Sequence, residues 1–424
     1  MELLKEESIP YRCGDSIEWK LTEDKMYNKV HLTAKGFVRE KDKIYFSDLE
    51  LCILFQLDLR DYSIKVLCDF SNYQNAQLEL YAHHIIRNND DIILIPEYSD
   101  QVGIYNTQTK ESRMISIGQK TPSVHLLPTI AVIERKIWIF PIATSNGVYI
   151  LYMDNYEVIK DDNIGRKLKK YQYVYRNVRT IYENSFYMIA SNPNCIIKID
   201  IAKNDVEEIR IPFSQENLSI LEQWREHLWF NRKENHECDI YEWIPERNEL
   251  ITYQLQDKEL SNEYKESGLP PYVRFLFVND DVYILGWGIR AILKISKERG
   301  LIEKAFDFPE NFRILGRNLS YYPYFATEII ENKILFFPCI SNMFLIYDTI
   351  TGKVEGKEII IEKDKIPGYQ RWLSAYFINS ITQEEGENLF TLYDCLEYEQ
   401  YKQDSNKEQR ENIGRLIWRA LDDE

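Results

Sequence analysis

Glycine is scarce in this chain, 16 in 424 residues, which excludes collagen-like and linker-rich architectures. Its seven cysteines are odd in number and contain no Cys-x-x-Cys pair, which argues against both a disulfide framework and a zinc ribbon. No run of about 18 apolar residues occurs, so no helical membrane span is read. The first residues, Met1 to Glu7, are acidic and lack a long apolar stretch, so no signal peptide is expected. These absences predict a cytoplasmic protein with reduced thiols and no membrane partner. A Gly-rich phosphate loop, a Gly-x-Ser-x-Gly elbow and a His-Glu-x-x-His segment are missing as well. Positive charge is short: 52 Lys and Arg stand against 68 Asp and Glu, a net charge of −16. A surface of that sign repels phosphate backbones and disfavours nucleic acid.

What the chain has is a repeat. Residues 332–361 show it most clearly: a polar turn at Asn332 and Lys333, an apolar run at 334–337, and a break at 338–342. A second apolar run at 344–347 ends in Asp348, and a turn at 349–352 leads into 353–361. The first apolar run recurs at 44–46, 92–95, 137–140, 186–189, 228–230, 282–285, 334–337 and 389–393, at intervals of 42 to 55 residues. Polar pairs such as Asp42-Lys43, Asp90-Asp91 and Arg135-Lys136 precede it, as a tight turn feeding a buried strand would require. Pro96, Pro141 and Pro338 close it at the same phase in three units, where a residue without an N–H stops the ladder. Asp58, Asn106, Asp154, Asp200, Ser296 and Asp348 fall near the end of the next strand, as short polar side chains that bond the following turn.

Four strands per unit at this period predict an all-β protein. The expected fold is a single β-propeller domain over 1–424, built of four-stranded antiparallel blades. Eight blades are expected, with seven as the alternative. Residues 16–21 alternate like a strand and are expected to close the ring against the last blade, which removes exposed edges. Residues 397–412 form a polar insert, and 413–421 read either as a short helix or as a strand.

The strand-turn-strand segments 346–352 (Ile-Tyr-Asp-Thr-Ile-Thr-Gly) and 104–109 (Ile-Tyr-Asn-Thr-Gln-Thr) resemble those of bacterial Kelch-like and WD-repeat-like propellers. The chain lacks the Gly-Gly doublet of the Kelch repeat and the Trp-Asp dipeptide of the WD repeat. It also lacks the Ser-x-Asp-x-Gly-x-x-Trp box of sialidases, so no catalytic residue is carried over from any of these families. The resemblance implies a ring of four-stranded blades and a binding role.

In such a ring the first strand of each unit lines the central channel. Arginines and aromatics gather just before or within these strands: Arg179, Trp224, Arg274, Tyr322, Arg371 and Trp372, with Arg176, Arg225, Tyr272, Tyr321 and Tyr324 nearby. If they converge on one mouth, they suit an anionic peptide, a sugar or another anionic small ligand. The plainer expectation is that they bond neighbouring strands and plug the channel. A partner basic enough to meet the −16 surface would be steered to it, with Trp224, Trp287 and Trp372 as anchors.

Two functions follow from that site. One is a non-catalytic platform for a protein or peptide. The other is a carbohydrate-active lyase or hydrolase, for which His84 and Tyr322 are the only acid–base candidates. Six histidines, with His83 and His84 on opposite strand faces, predict no metal site and no cofactor. Paired carboxylates such as Asp90-Asp91 and Asp280-Asp281 read as solvated turns. The basic and aromatic stretch 165–176 reads as a solvated loop entering the fourth unit, although that mix also suits nucleic acid.

Overall fold

The computed structural model describes residues 29–48, 53–70, 82–96, 101–117, 129–141, 144–175, 184–191, 194–211, 218–232, 238–258, 272–286, 291–312, 324–339 and 341–367. Strand β1 (Lys29–His31) precedes the first unit, β2 (Phe37–Glu40), β3 (Lys43–Ser47), β4 (Ile53–Asp58) and β5 (Ile64–Asp69). The second holds β6 (Ala82–Asn88), β7 (Asp91–Pro96), β8 (Gln101–Asn106) and β9 (Ser112–Ser116). The third holds β10 (Thr129–Ile133), β11 (Lys136–Phe140), β12 (Val148–Tyr152) and β13 (Val158–Asp161), followed by helix α1 (Asp162–Leu168). The fourth holds β14 (Tyr173–Tyr175), β15 (Ser185–Ser191), β16 (Cys195–Asp200) and β17 (Asp205–Ile209). The fifth holds β18 (Leu218–Trp224), β19 (His227–Arg232), β20 (Ile240–Ile244) and β21 (Glu249–Leu255). The sixth holds β22 (Tyr272–Val278), β23 (Asp281–Gly286), β24 (Ala291–Ser296) and β25 (Leu301–Asp307). The seventh holds β26 (Tyr324–Ile330), β27 (Lys333–Pro338), β28 (Met343–Asp348) and β29 (Val354–Glu358), with β30 (Ile360–Glu362) after it.

Each unit is an antiparallel meander. Among the described residues five stand as separate four-stranded sheets. The fifth and sixth units are fused into one eight-stranded sheet by a short parallel pairing of β21 with β25, Gln254 opposite Leu301 and Leu255 opposite Ile302. Burial explains the sequence pattern. The two middle strands are covered on both faces, so β4 and β27 read as apolar runs. The outermost strands alternate between half-buried and exposed positions, as in β9 and β17.

Two turns recur in phase. A two-residue turn joins the first strand to the second, and it carries a left-handed residue at Lys41, Asn89, Glu134 with Arg135, Arg225, Asn279 and Glu331. The third and fourth strands are joined through a left-handed residue four places beyond the strand's last residue. It is Tyr62, Lys110, Tyr156, Asn204, Asn248, Gly300 or Gly352. Asp58, Asn106, Asp200 and Asp348 accept backbone N–H bonds from this turn, as the sequence predicts. In the third unit the strand ends at Tyr152 instead, and Asp154 pairs with Arg135 at 2.5 Å.

Apolar side chains fill the space between successive sheets. One cluster joins the second and third units, another the third and fourth, and others the fourth and fifth, the fifth and sixth, and the sixth and seventh. The last cluster joins the seventh unit to the first, with Phe337 lying 4.6 Å from Phe46 and 5.5 Å from Phe37. The sheets therefore stand in a propeller-like ring, and the seventh touches the first. Strand β1 pairs antiparallel with β30, and the N–H of Ala34 donates to the carbonyl of Pro338 at 2.7 Å.

Two expectations change. The stretch 353–361, read as one strand, divides at Ile359 into β29 and β30, and only β29 continues the seventh sheet. The fourth sheet begins with β14, Tyr173–Tyr175, paired with β15. The described part of the stretch 165–176, residues 165–175, is no solvated loop. Asp161 caps α1 through its carboxylate, Ile164, Leu168, Tyr171 and Val174 enter the core, and Lys167 and Lys170 pair with Asp205 and Glu208 of β17. The closing strand 16–21, the eighth unit and residues 397–424 lie outside the described residues.

Candidate functional site

First strands of successive units approach one another, β2 against β6 and β18 and β26 on either side of β22, while in the fourth unit it is the second strand, β15, that approaches β18. Side chains leave a strand perpendicular to its sheet, so those of an innermost strand point at the neighbouring blades while its unpaired edge faces the channel. The polar contacts follow this rule. Arg39 donates to Glu328 of the seventh unit at 2.8 Å, and Arg87 donates to Glu40 of the first at 2.6 Å. Arg135 reaches Asn88 of the second unit at 3.2 Å, and Arg225 pairs with Asp280 of the sixth at 3.3 Å. Arg274 donates to the hydroxyl of Thr327 in the seventh at 2.7 Å. Arginines of the inner strands and of the turns that follow them thus tie blade to blade.

The structure separates the residues expected at one mouth. Tyr272, Arg274 and Tyr324 lie at the entry end of their strands, opposite Gly286, Leu285 and Pro338. Trp224 lies at the exit end of β18, opposite His227, and so belongs to the other end of the ring. Tyr272 is buried and donates its hydroxyl to the carbonyl of Cys238 at 2.5 Å. Tyr324 is also buried, and desolvation pushes its phenol far above the usual range. His84 is half-buried opposite Ile95. Arg179, Tyr322, Arg371, Trp372 and Trp287 lie outside the described residues.

Trp224 stands in the seam between the fifth and sixth units. Its indole stacks on Phe277 at 5.3 Å with 7° between the planes. Arg225, held at φ 56° in the adjoining turn, places its guanidinium 4.1 Å from the centre of the Trp224 ring. Lys297, in the outer turn of the sixth unit, sets its ammonium 4.9 Å from Trp224 and 5.6 Å from Trp229. The parallel pairing of β21 with β25 locks this seam.

Beside Trp229 lie two buried carboxylates. Glu222 and Glu242 face Trp229 from the strands on either side, and both are 4% exposed. Glu242 accepts from the hydroxyl of Tyr253 at 2.6 Å and lies 2.6 Å from Nδ1 of His227. A proton on that nitrogen satisfies the carboxylate. Burial first, and the hydrogen bond to Glu242 second, push the Tyr253 phenol far above its ordinary value, so it stays a donor. Carboxylates beside aromatic faces favour a cation at this place.

Reasoning from sequence picked Trp224 and Arg225 but missed Lys297, Trp229 and Glu242. The signal was present in the phase: Lys297 follows Ser296 where Thr349 follows Asp348, so it sits at the same end of the ring as the turn after Trp224. Among the described residues no group of three His, Cys, Asp or Glu side chains stands close enough to hold a metal. No helix among them is long and apolar enough to cross a membrane.

No family model matches the chain. No curated protein matches it either. Solved structures do. Virginiamycin B lyase from Staphylococcus aureus is 14% identical, over 74% of this chain and 96% of that one, with a TM-score of 0.49. PorZ, a surface component of the type-IX secretion system of Porphyromonas gingivalis, is 9% identical over 78% of this chain and 39% of that one, TM-score 0.48. The extracellular domain of a putative one-component system from B. thetaiotaomicron is 13% identical over 73% and 38%, TM-score 0.48. At these values no residue role passes from any of them to this chain, and the propeller-like arrangement rests on its own sheets and seams.

Proposed function

We propose that this chain is a non-catalytic propeller of seven blades that serves as a binding platform for a protein or peptide partner. The seven-blade count is supported by the packing of Phe337 against Phe37 and Phe46, which brings the seventh sheet onto the first. The observation that carries the binding reading is the pairing of the inner arginines from blade to blade, beside a half-buried Trp224 at the surface of the fused seam. The first makes a stiff frame, and the second gives that frame an aromatic anchor of the kind that dominates interfaces. With a net charge of −16, a basic partner is drawn to the surface before contact. The setting is the cytoplasm, in keeping with Cys68 and Cys195 as reduced thiols.

The test is affinity capture from the native cell with the wild-type chain and with Trp224→Ala. The reading expects a protein retained by the first and lost by the second. Capture of no protein, together with a small glycan that raises the melting temperature, would replace the platform by a carbohydrate site.

A further inference from the structure

We infer that the seam between the fifth and sixth blades is a cation-binding cage, and that Lys297 of the chain itself is its resident occupant. The ligand it takes is the alkylated ammonium or lysine side chain of a partner, which enters by displacing Lys297. This inference rests on the platform reading and names the chemistry of its contact.

Three observations converge on it. Two indoles, Trp224 and Trp229, meet one cation, and Phe277 backs the Trp224 ring by stacking flat on it at 5.3 Å. Ring faces carry negative electrostatic potential, and two or more of them around one point select a cation over a neutral group. Next, Glu222 and Glu242 flank Trp229 across the sheet, both buried, and deepen the negative potential. Finally, a cation is already there: the Lys297 ammonium sits within about 6 Å of two indoles, the range in which the attraction acts. It comes from an exposed turn, on a stem with four rotatable bonds, so it can leave without disturbing a strand. The tryptophans, by contrast, belong to β18 and β19, and Trp229 is fully buried. The cage is therefore fixed while its tenant is mobile, which is the arrangement that lets an external ammonium compete.

The experiment measures binding of Nα-acetyl-trimethyllysine methylamide, and of the neutral Nα-acetyl-norleucine methylamide, to the full chain by calorimetry. Lys297→Ala removes the cation shared by the two indoles, while Arg225 stays 4.1 Å from the Trp224 ring, and is expected to tighten the trimethyllysine probe about tenfold over wild type, with no gain for the norleucine probe. Adding Trp224→Leu to Lys297→Ala is expected to abolish that gain. Lys357→Ala, which removes an exposed lysine from Tyr62 in another part of the ring, is expected to change nothing. Equal affinity in wild type and Lys297→Ala would overturn the inference, as would an equal gain for the neutral probe or for Lys357→Ala. Because Lys297 is exposed, its variant keeps the test valid even if Trp224→Leu fails to fold. A partner captured from cells that binds Trp224→Leu as well as wild type would overturn the cage but leave the platform standing. A tenfold gain for the probe with no partner in the cell would do the reverse.

Discussion

Arg39 of the first blade donates through Nε to Glu328 of the seventh at 2.8 Å, across the point where the two ends of the described chain meet. Beneath that pair, Phe337 of the seventh blade is wedged among Phe37, Phe46 and Phe344. Magnitudes decide which of the two holds the closure. Both ion-pair partners are about a quarter exposed, so solvent screens them, and the pair contributes about 1 kcal/mol. Phe337 is fully buried, and its truncation leaves a cavity worth about 3–5 kcal/mol. Arg39→Met should therefore lower the urea midpoint slightly and Phe337→Ala severely. Equal losses would mean that the closure is electrostatic.

The left-handed turns give a second prediction. Glu331 holds φ 53° where Asn89 and Asn279 stand in sister blades. Asn tolerates that conformation and Glu is strained in it. Glu331→Asn should raise the melting temperature by about 1–3 °C. Gly352 holds φ 69° at the other hairpin, and a Cβ there would meet nothing within 4 Å. Gly352→Ala should cost about 1 kcal/mol from the backbone alone, and Gly352→Asn much less. A neutral Gly352→Ala would contradict the argument.

Acid should loosen the outer turns. The Asp348 carboxyl is held below its ordinary range, chiefly by the backbone N–H of Thr351. Asp200 is lowered by Lys203, through its side chain and then its backbone N–H. Asp58 is lowered by the Arg60 side chain and then by its backbone N–H. A depressed folded value means stability that is complete above the ordinary carboxylate range and is lost as pH falls through the folded value. Denaturant midpoints measured from pH 6 downward should decline across that window. Asp348→Asn, which copies Asn106 of the second blade, should flatten the decline while keeping the turn.

The carboxylate beside Trp229 supplies a fourth test. Glu242 relies on Tyr253, which is buried, and on His227, which is about one-third exposed. Tyr253→Phe leaves a buried charge short of one donor and should cost about 1–3 kcal/mol, read from denaturant unfolding. His227→Ala should cost less, because water reaches that side.

The seam of the second and third blades supplies a fifth. Tyr156 donates to Asp91 and accepts from Asn88 at 2.9 Å, and Asn88 also donates to the carbonyl of Met153 at 2.6 Å. Burial first and Asp91 second push the Tyr156 phenol up to about 12. A spectroscopic titration of the wild type against Tyr156→Phe should show the removed phenol ionising near pH 12; a difference centred near pH 10 would mean that this network is absent in solution.

The strands and their turns were legible in the sequence because a middle strand covered on both faces must be apolar throughout. The strand-end residues that accept the N–H groups of the following turn are short and polar, as Asp58, Asn106 and Asp348 are. The direction of the inner side chains was not legible. Arg274 looked like a ligand for an anion, yet a strand at the centre of a ring turns its faces to its neighbours, and Arg274 meets Thr327. Trp224 looked like a companion of Tyr272, yet one begins its strand's run at the entry end and the other stands where its strand leaves.

Local pattern thus determined the meander, its period and its hairpins, since each depends on residues within a few places of one another. Tertiary structure alone decided which units meet. Phe337 on Phe46, Arg39 on Glu328 and Lys297 over Trp229 join residues dozens to hundreds of positions apart. The reason is that hydrophobic burial is non-directional: it requires that every face be covered but does not specify by which neighbour. That choice waited on the geometry of a closed ring.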